Sequence, residues 1–286
     1  MDARFWLIQA FNGISYGALL FLVGSGLSLI FGVMRIVNLS HGSYFLLGGY
    51  VALSVIWSTG SWLLAIPVAA VTIALIGLAM ERIFLRPLGF DPLRQVLLTV
   101  GFAFLFQQAA LDIWTGNNFD INPPEVLSRS LVIGGIYFPL YRMFMIGTGL
   151  LIGITLWLVM EKTRMGAVVR ATVDDAQMAR GVGIDTSRVS MFIFALGAFL
   201  AALGGVIGGG FLSVYPGLDF EILPLAFAVV IIGGMGSLGG AAIGAVLVGL
   251  ADNFGKALFP EISYFTLYAP MALILAVKPT GLFGRE

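Results

Sequence analysis

The feature that most constrains this 286-residue chain is a series of long stretches without Asp, Glu, Lys or Arg. A bilayer core is about 30 Å thick, and a helix needs roughly 20 apolar residues to cross it. Residues 36–80 are too long for one crossing and are expected to hold two, separated near residues 58–61. The sequence therefore predicts about eight hydrophobic helical segments, within residues 5–34, 36–80, 95–111, 143–160, 189–218, 222–251 and 262–277.

Composition agrees with an all-α, polytopic integral membrane protein. Hydrophobic residues make up 59% of the chain and charged residues 10%, which is more apolar surface than a soluble fold can bury. The uncharged stretches are also far longer than the strands of a transmembrane barrel, which have about 9 to 11 residues. We expect one transmembrane domain over residues 1–286, surrounded by the lipid bilayer.

Several kinds of chemistry are not expected. The chain has no cysteine, its one histidine has no carboxylate nearby in sequence, and its 15 basic residues are balanced by 15 acidic ones. These counts argue against a metal site and against nucleic-acid binding. The nearest approach to an ATP-binding loop, GLADNFGKA at residues 249–257, has the wrong glycine spacing and no Ser or Thr after Lys256. We expect no catalytic residue, no cofactor and no enzymatic activity.

The placement of charge predicts which loops face the cytoplasm. Basic residues cluster in residues 81–94 and 161–188, whereas residues 212–221 contain two acids and no base. The positive-inside rule puts the first two loops in the cytoplasm and the third outside. Asp219 and Glu221 then lie on the outer face, either touching an external partner or in a solvated turn.

Glycine interrupts the stretch at residues 222–251. One helix of that length would be about 45 Å long, and Gly233, Gly234 and Gly236 lie near its middle. Glycine turns freely and is costly inside helices, so we predict a broken or re-entrant element, with one long tilted helix as the alternative. The same glycines also fit close helix packing. A break would put Lys278 and Arg285 on the cytoplasmic side.

A second polar interruption follows the first hydrophobic stretch. Asn38, Ser40, His41 and Gly42 lie close together between two apolar segments, at a membrane face or at a broken helix that lines a cavity. Asn38 or Ser40 could cap the next helix. These four residues, with Gly233, Gly234 and Gly236, are also our candidates for a translocation path or gate.

The most informative polar segment is residues 161–189. Residues 168–179 favour a short helix, Gly181 and Gly183 can provide a turn, and Asp185 or Thr186 can cap the helix that follows. If Gly181 has a positive φ, a β-branched residue there would strain the turn. A solvated loop between two membrane spans is the alternative.

Three blocks of the sequence resemble the permease subunits of high-affinity branched-chain amino acid ABC transporters. They are GLSLIFGVMRIVNLSHGSYFLLGGYVAL at residues 26–53, MGAVVRATVDDAQMARGVGIDTSRV at residues 165–189, and FAVVIIGGMGSLGGAAIGAVLVG at residues 227–249. They occur in the family's order and span nearly the whole chain. The middle block departs from the importer docking pattern Glu-Ala-Ala-x3-Gly, because Asp175, Ala176 and Gln177 precede Gly181.

The resemblance implies a subunit of the bacterial inner membrane that forms a path for branched-chain or related neutral amino acids. It implies a second permease subunit, identical or different, two cytoplasmic ATP-binding subunits and a periplasmic binding protein. The residues that the resemblance assigns to ATPase docking are Arg170, Asp174, Asp175, Ala176, Arg180, Gly181 and Gly183.

Two alternative functions remain open at the level of sequence. One is a related ABC permease for urea or short amides, because the sequence contains no recognisable group of residues that would identify the substrate. The other is a channel or ion-coupled carrier. The lack of an acidic residue deep inside a hydrophobic stretch argues against proton coupling, while sodium sites built from carbonyls and hydroxyls remain possible.

Overall fold

A computed structural model describes residues 2–89, 91–278 and 280–284, so Arg285 lies outside the described part of the chain. Over these residues the fold is all-α apart from one β-hairpin. Its helices are α1 (Ala3–Met34), α2 (His41–Thr59), α3 (Trp62–Met80), α4 (Pro92–Trp114), α5 (Leu140–Lys162), α6 (Arg164–Asp174), α7 (Ala176–Gly181), α8 (Thr186–Leu212), α9 (Leu218–Gly233), α10 (Leu238–Leu258) and α11 (Ser263–Val277).

Short elements connect some of these helices. A π-helical turn, Glu81–Leu85, and a 3-10 turn, Arg86–Leu88, continue α3, and a second 3-10 turn, Pro260–Ile262, precedes α11. Strands β1 (Ser130–Ile133) and β2 (Ile136–Pro139) form an antiparallel hairpin before α5. The hairpin belongs to the connection between α4 and α5 that the sequence predicts to be external.

The predicted all-α, polytopic class is confirmed. Within the described residues, six helices are long and apolar enough to cross a bilayer: α1, α3 with its extension, α4, α5, α8 and α10. The remaining apolar helices α2, α9 and α11 have 19, 16 and 15 residues. The predicted division near residues 58–61 is also confirmed, because α2 ends at Thr59 and Gly60 adopts a φ of 70° before α3 begins.

The predicted break at the glycine-rich stretch is present. Helix α9 ends at Gly233, and the chain turns through Gly234 (φ 103°) and Gly236 (φ 79°) before α10. Ser237 Oγ accepts the backbone N–H of Gly240 at 3.0 Å and caps α10. The two helices are antiparallel, and a Cβ on Gly233 would meet the backbone of Gly240. Turning and close packing therefore both depend on these glycines, and one long helix is ruled out.

Helix α1 lies at the centre of the bundle and contacts α5, α8, α9 and α10. Its glycines let the backbones approach closely: an added Cβ would lie 2.9 Å from Leu250 Cα at Gly13 and 2.7 Å from Gly197 O at Gly26. Small residues at such contacts are the usual means of packing helices in lipid. The order of the contacts makes α8 and α10 antiparallel to α1.

One end of the bundle brings together segments that are far apart in sequence. A cavity of about 660 Å³ there is lined by Arg35 after α1, Arg170 of α6, Gly236 of the α9–α10 turn, and Gly284. The backbone N–H groups of Leu282 and Phe283 donate to the carbonyls of Ile232 and Gly233, each at 3.0 Å. The segment after α11 is therefore fixed at the same end as the basic loop between α5 and α8.

This arrangement predicts that the segment after α11 is cytoplasmic. Phe283 is 49% exposed, and Phe283→Cys is expected to be protected from an impermeant thiol reagent in intact cells and labelled after permeabilisation, because it shares an end with the basic loops. The chain has no native cysteine to interfere. Gly284 is a poorer position, since a Cβ there would meet the carbonyl of Thr280.

Tyr137→Cys is the matched control, because Tyr137 is 71% exposed in the hairpin that we place outside. It is expected to react in intact cells. Labelling of Phe283→Cys before permeabilisation would contradict the topology.

Candidate functional site

Helix α2 begins inside the bundle and not at its surface. After α1 the chain reverses at Arg35, whose φ of 55° is left-handed, and runs without helical structure to residue 40. Asn38, Ser40 and His41 are completely buried. His41 bonds to Val23, which lies about 16 Å along α1 from its end at Met34. Of the two predicted positions, a membrane face or a broken helix at depth, the structure has the second.

Asn38 organises the start of α2. Its Oδ1 accepts the backbone N–H of Ser40 at 3.1 Å and the hydroxyl of Ser40 at 2.7 Å. Ser40 occupies the N-cap position, but its side chain makes no capping hydrogen bond. The predicted capping role therefore falls to Asn38, through a local turn of the kind that Asn side chains favour.

His41 holds α2 against α1. Its Nε2 lies 3.0 Å from the carbonyl oxygen of Val23 and donates to it. The ring packs edge-on against Tyr44, with centroids 6.0 Å apart, and lies over Gly26, where a Cβ would be 3.2 Å from the ring. A larger residue at Gly26 would thus displace the histidine. The contacts of His41 are those of a packed, hydrogen-bonded core residue.

Asp219 was expected on the outer face, either touching an external partner or in a solvated turn, and both alternatives are wrong for this residue because its side chain is buried. The residue is only 2% exposed, and its Oδ2 accepts the hydroxyl of Ser43 of α2 at 3.0 Å. Its Oδ1 has no partner among the described residues. Asp219 lies in the first turn of α9, where a helix N-terminus favours a carboxylate. Its burial depends on contact with α2, which no local sequence pattern shows.

The structure divides the predicted path residues into two groups. Asn38, Ser40, His41 and Gly42 lie at the start of α2, and Gly42 packs on Asp219 and Leu223. Gly233, Gly234 and Gly236 lie at the end of α9, where Gly236 approaches Gly32 of α1. Between them is a cleft of about 320 Å³ with an entirely apolar lining: Leu27, Phe31, Ile36, Val37, Leu39, Phe227, Val230, Ile231 and Met235.

The segment between α5 and α8 was expected to contain one helix over residues 168–179, but it contains two. Asp175 ends α6 and begins α7, with extended backbone angles and an Oδ1 that accepts the N–H groups of Gln177 and Met178 at 2.8 and 2.9 Å. An aspartate in this position caps the helix that follows it. Asp175 therefore has a structural role in addition to any role in binding.

Two other residues of this segment differ from expectation. Gly181 is the last residue of α7 and is not left-handed, whereas Gly183 has a φ of 88°. The strained turn thus depends on Gly183. Arg170 also contacts its own chain: its guanidinium donates to the carbonyl of Met160 and lies 3.8 Å from Glu161, at the end of α5, while its side chain is 38% exposed. It connects α6 to the membrane-spanning helix before it.

The outward surface of the segment carries large apolar side chains beside charged ones. Met165, Met178 and Val182 are 43%, 66% and 72% exposed. Asp174, Asp175, Ala176 and Arg180 belong to the same stretch, and Arg180 Nε donates to Thr186 at 3.0 Å. Val182 was not among the predicted residues, although its apolar character between two glycines was a visible signal. We call Met178 and Val182 the α7 apolar surface.

The contacts of His41 predict that its role is packing, because its hydrogen bond goes to a backbone carbonyl and Asp219 bonds to Ser43 instead. His41→Gln can still donate from an amide nitrogen to the carbonyl of Val23 and is expected to retain uptake with an unchanged pH profile. His41→Leu should cost about 1 kcal/mol of stability. Uptake by the reconstituted transporter tests the first expectation, and thermal unfolding of the transporter tests the second. Loss of uptake in His41→Gln with normal assembly would indicate that His41 belongs to a gate.

Comparison with known proteins identifies the family. Residues 9–275 match the family model described as branched-chain amino acid transport system / permease component. The high-affinity branched-chain amino acid transport system permease protein LivH of Escherichia coli (strain K12) is 30% identical over 98% of this chain and 96% of its own length. The corresponding protein BraD of Pseudomonas aeruginosa is 27% identical over the same shares.

A more distant match shows the breadth of the resemblance. The autoinducer 2 import system permease protein LsrC of Escherichia coli O9:H4 (strain HS) is 29% identical over 86% of this chain and 70% of its own length. The match to the family model covers all the described membrane helices in whole or in part, including the broken α9–α10 segment. This chain belongs to the family of branched-chain amino acid transport system permease components.

Proposed function

We propose that this protein is the permease subunit of an ATP-binding-cassette importer and forms the path for branched-chain amino acids. The match of residues 9–275 to the permease family carries the proposal, and the substrate named for the LivH and BraD relatives supports the choice of cargo. Family membership favours a permease subunit over an ion-coupled carrier or a channel. The printed names of LivH and BraD favour an amino-acid cargo over urea or short amides.

The partners follow from the same proposal. The chain pairs with a second permease subunit in the bacterial inner membrane, receives the amino acid from a periplasmic binding protein, and contacts two cytoplasmic ATP-binding subunits. Its own part is to bind and move cargo, while ATP hydrolysis belongs to the partner subunits. Residues 1–286 act as one permease domain, and residues 161–189 are its cytoplasmic docking segment.

The docking role rests on the geometry of α6 and α7. An amphipathic surface that enters a groove on a partner needs exposed apolar side chains flanked by charge, and the α7 apolar surface with Asp174, Asp175 and Arg180 provides both. Arg170 and Gly166 hold α6 close against the end of α5. A push on α7 is therefore transmitted to a membrane-spanning helix through packed backbone.

Coupling requires that ATP binding favour one access state over the other. To change the ratio of the two access states from 1:99 to 99:1, ATP must bind the favoured state about 5.5 kcal/mol more tightly than the other. The docking contacts must therefore differ between the two states, as any shift of population by a ligand requires. The cavity between α6, the end of α1 and the α9–α10 turn gives α6 space for such a displacement.

The docking proposal predicts the effect of charge on the α7 apolar surface. Met178→Asp and Val182→Asp are expected to reach the membrane but to lower co-purification with the ATP-binding subunits at least about tenfold, because a buried unpaired carboxylate costs several kcal/mol. Substrate-stimulated ATP hydrolysis and uptake should fall together. Val126→Asp is the control, since Val126 is 68% exposed in the loop that we place outside. Wild-type assembly and uptake by both α7 variants would show that the segment is only a solvated connection.

A second prediction separates the helix cap from the interface at Asp175. Asp175→Asn keeps the capping oxygen, and Asn is about as good as Asp at this position, so it is expected to assemble like the wild type. Asp175→Lys loses the cap and should assemble poorly. Equal losses of co-purification in the two variants would instead assign the effect to the carboxylate charge at the interface.

A further inference from the structure

The larger cavity lies between the docking segment and the membrane helices, at the end of the bundle that we place in the cytoplasm. Its volume is about 660 Å³, within the roughly 300 to 1,000 Å³ found for small-molecule sites. Residues of α6, of the end of α1, of the α9–α10 turn and of the segment after α11 line it. A molecule bound there would touch both the segment that we assign to ATPase docking and the helices of the membrane bundle.

Charged side chains of both signs line this cavity. Among the described residues that line it, Arg35 and Arg170 are basic, and Glu161 and Asp174 are acidic. Arg170 lies 3.8 Å from Glu161. A lining with both signs of charge suits a ligand that carries both, whereas an anionic headgroup would face the two carboxylates as well as the two arginines.

Arg35 is the cation that remains available to a ligand. It is exposed, and among the described residues its guanidinium has no hydrogen bond, ion pair or ring contact. Its backbone N–H donates to the carbonyl of Phe31 at 2.8 Å and ends α1 with a left-handed φ of 55°. Glycine is the usual residue at such a helix end, so the turn alone does not account for an arginine. A guanidinium can hold a carboxylate through two parallel hydrogen bonds.

Aliphatic side chains lie beside these charges. Val33, Val169 and Val173 line the same cavity. A free amino acid with an aliphatic side chain matches this mixture of groups. Arg35 can bind its α-carboxylate, Glu161 can accept from its α-ammonium group, and the valines can contact its side chain.

We propose that this cavity is a regulatory site that binds the imported amino acid from the cytoplasm and slows further uptake. The inference rests on the proposed function and deepens it, because the same cavity gives α6 the space for the displacement that coupling needs. A ligand favours the conformation that it binds better, so an amino acid in the cavity holds α6 away from the end of α1. Cargo that accumulates in the cytoplasm thus opposes its own import.

The test places the ligand on the cytoplasmic face alone. Proteoliposomes contain the assembled transporter, ATP and either leucine or glycine inside, and the binding protein with labelled leucine is added outside. Glycine lacks the aliphatic side chain, so only leucine inside is expected to lower the initial uptake rate of the wild type. The expected decrease is about fivefold, at the lower end of typical coupling between two sites. ATP hydrolysis should decrease with it.

Arg35→Gln tests the binding group. It is expected to import normally with glycine inside, but to need about tenfold more internal leucine for the same inhibition, because it loses a hydrogen bond between charged groups. Arg129→Gln is the matched control, since the Arg129 side chain is 72% exposed in the loop that we place outside. It should be as sensitive to internal leucine as the wild type.

A second variant fills the cavity without a ligand. Gly239 lines the cavity, is not left-handed, and would bring an added Cβ within 4 Å of no other atom. Gly239→Trp is therefore expected to assemble, to import slowly even with glycine inside, and to respond less to leucine. Gly101→Trp is its control, because Gly101 of α4 has equally open surroundings and lies outside the cavity.

Equal uptake by wild-type vesicles that contain leucine or glycine would overturn the regulatory site, and so would full inhibition of Arg35→Gln at the wild-type leucine concentration. An effect of Arg35→Gln that appears only in vesicles with an anionic phospholipid, and does not depend on internal leucine, would assign the cavity to a lipid headgroup and contradict the proposal. Failure of the wild type to import leucine into vesicles without internal amino acid would instead overturn the proposed function.

Discussion

Direct contact between the backbones of α1, α8 and α10 is the constraint on which the rest of the structure depends. In lipid there is no hydrophobic gain from bringing helices together, so association relies on close van der Waals packing. Gly13 and Gly17 of α1 meet α10, and Gly26 meets Gly197 of α8, at distances that leave no room for a side chain. The three helices form a dense centre against which the shorter helices are placed.

The short helices α2 and α9 depend on that centre because the unpaired backbone groups at a helix end find no hydrogen-bond partners in lipid. Asn38 completes the start of α2, and His41 connects it to the backbone of α1. At α9 the carboxylate of Asp219 lies in the first helical turn and is joined to α2 through Ser43. One group of buried polar residues, Asn38, Ser40, His41, Ser43 and Asp219, thus lies where α2 and α9 begin.

The sequence predicts the membrane helices well because hydropathy and charge act locally. The division between α2 and α3, and the break after Gly233, follow from segment length and from glycine's freedom to turn. The depth of residues 35–41 was left open between two positions, since polar residues look the same at an interface and inside a bundle. The burial of Asp219 was missed because it depends on α2, which is distant in sequence.

The docking segment, residues 161–189, was likewise predicted only in part from the sequence. Its position and its mixture of charged and apolar residues could be read from sequence, but its two-helix form could not, because Asp175 can serve either as a helical residue or as a cap. Only the backbone angles show that Gly183, and not Gly181, needs the freedom of glycine. The contacts of Arg170 with the end of α5 likewise depend on how closely α6 approaches α5.

The hydrogen bonds from Leu282 and Phe283 to the end of α9 have a consequence for biosynthesis. The last carbonyls of a helix have no partner within it, and here the donors arrive only after α10 and α11 have been made. The α9–α10 hairpin therefore enters the bilayer with an incomplete end. Insertion of this region cannot finish helix by helix, because the end of α9 gains these two donors only when the segment after α11 has returned to it.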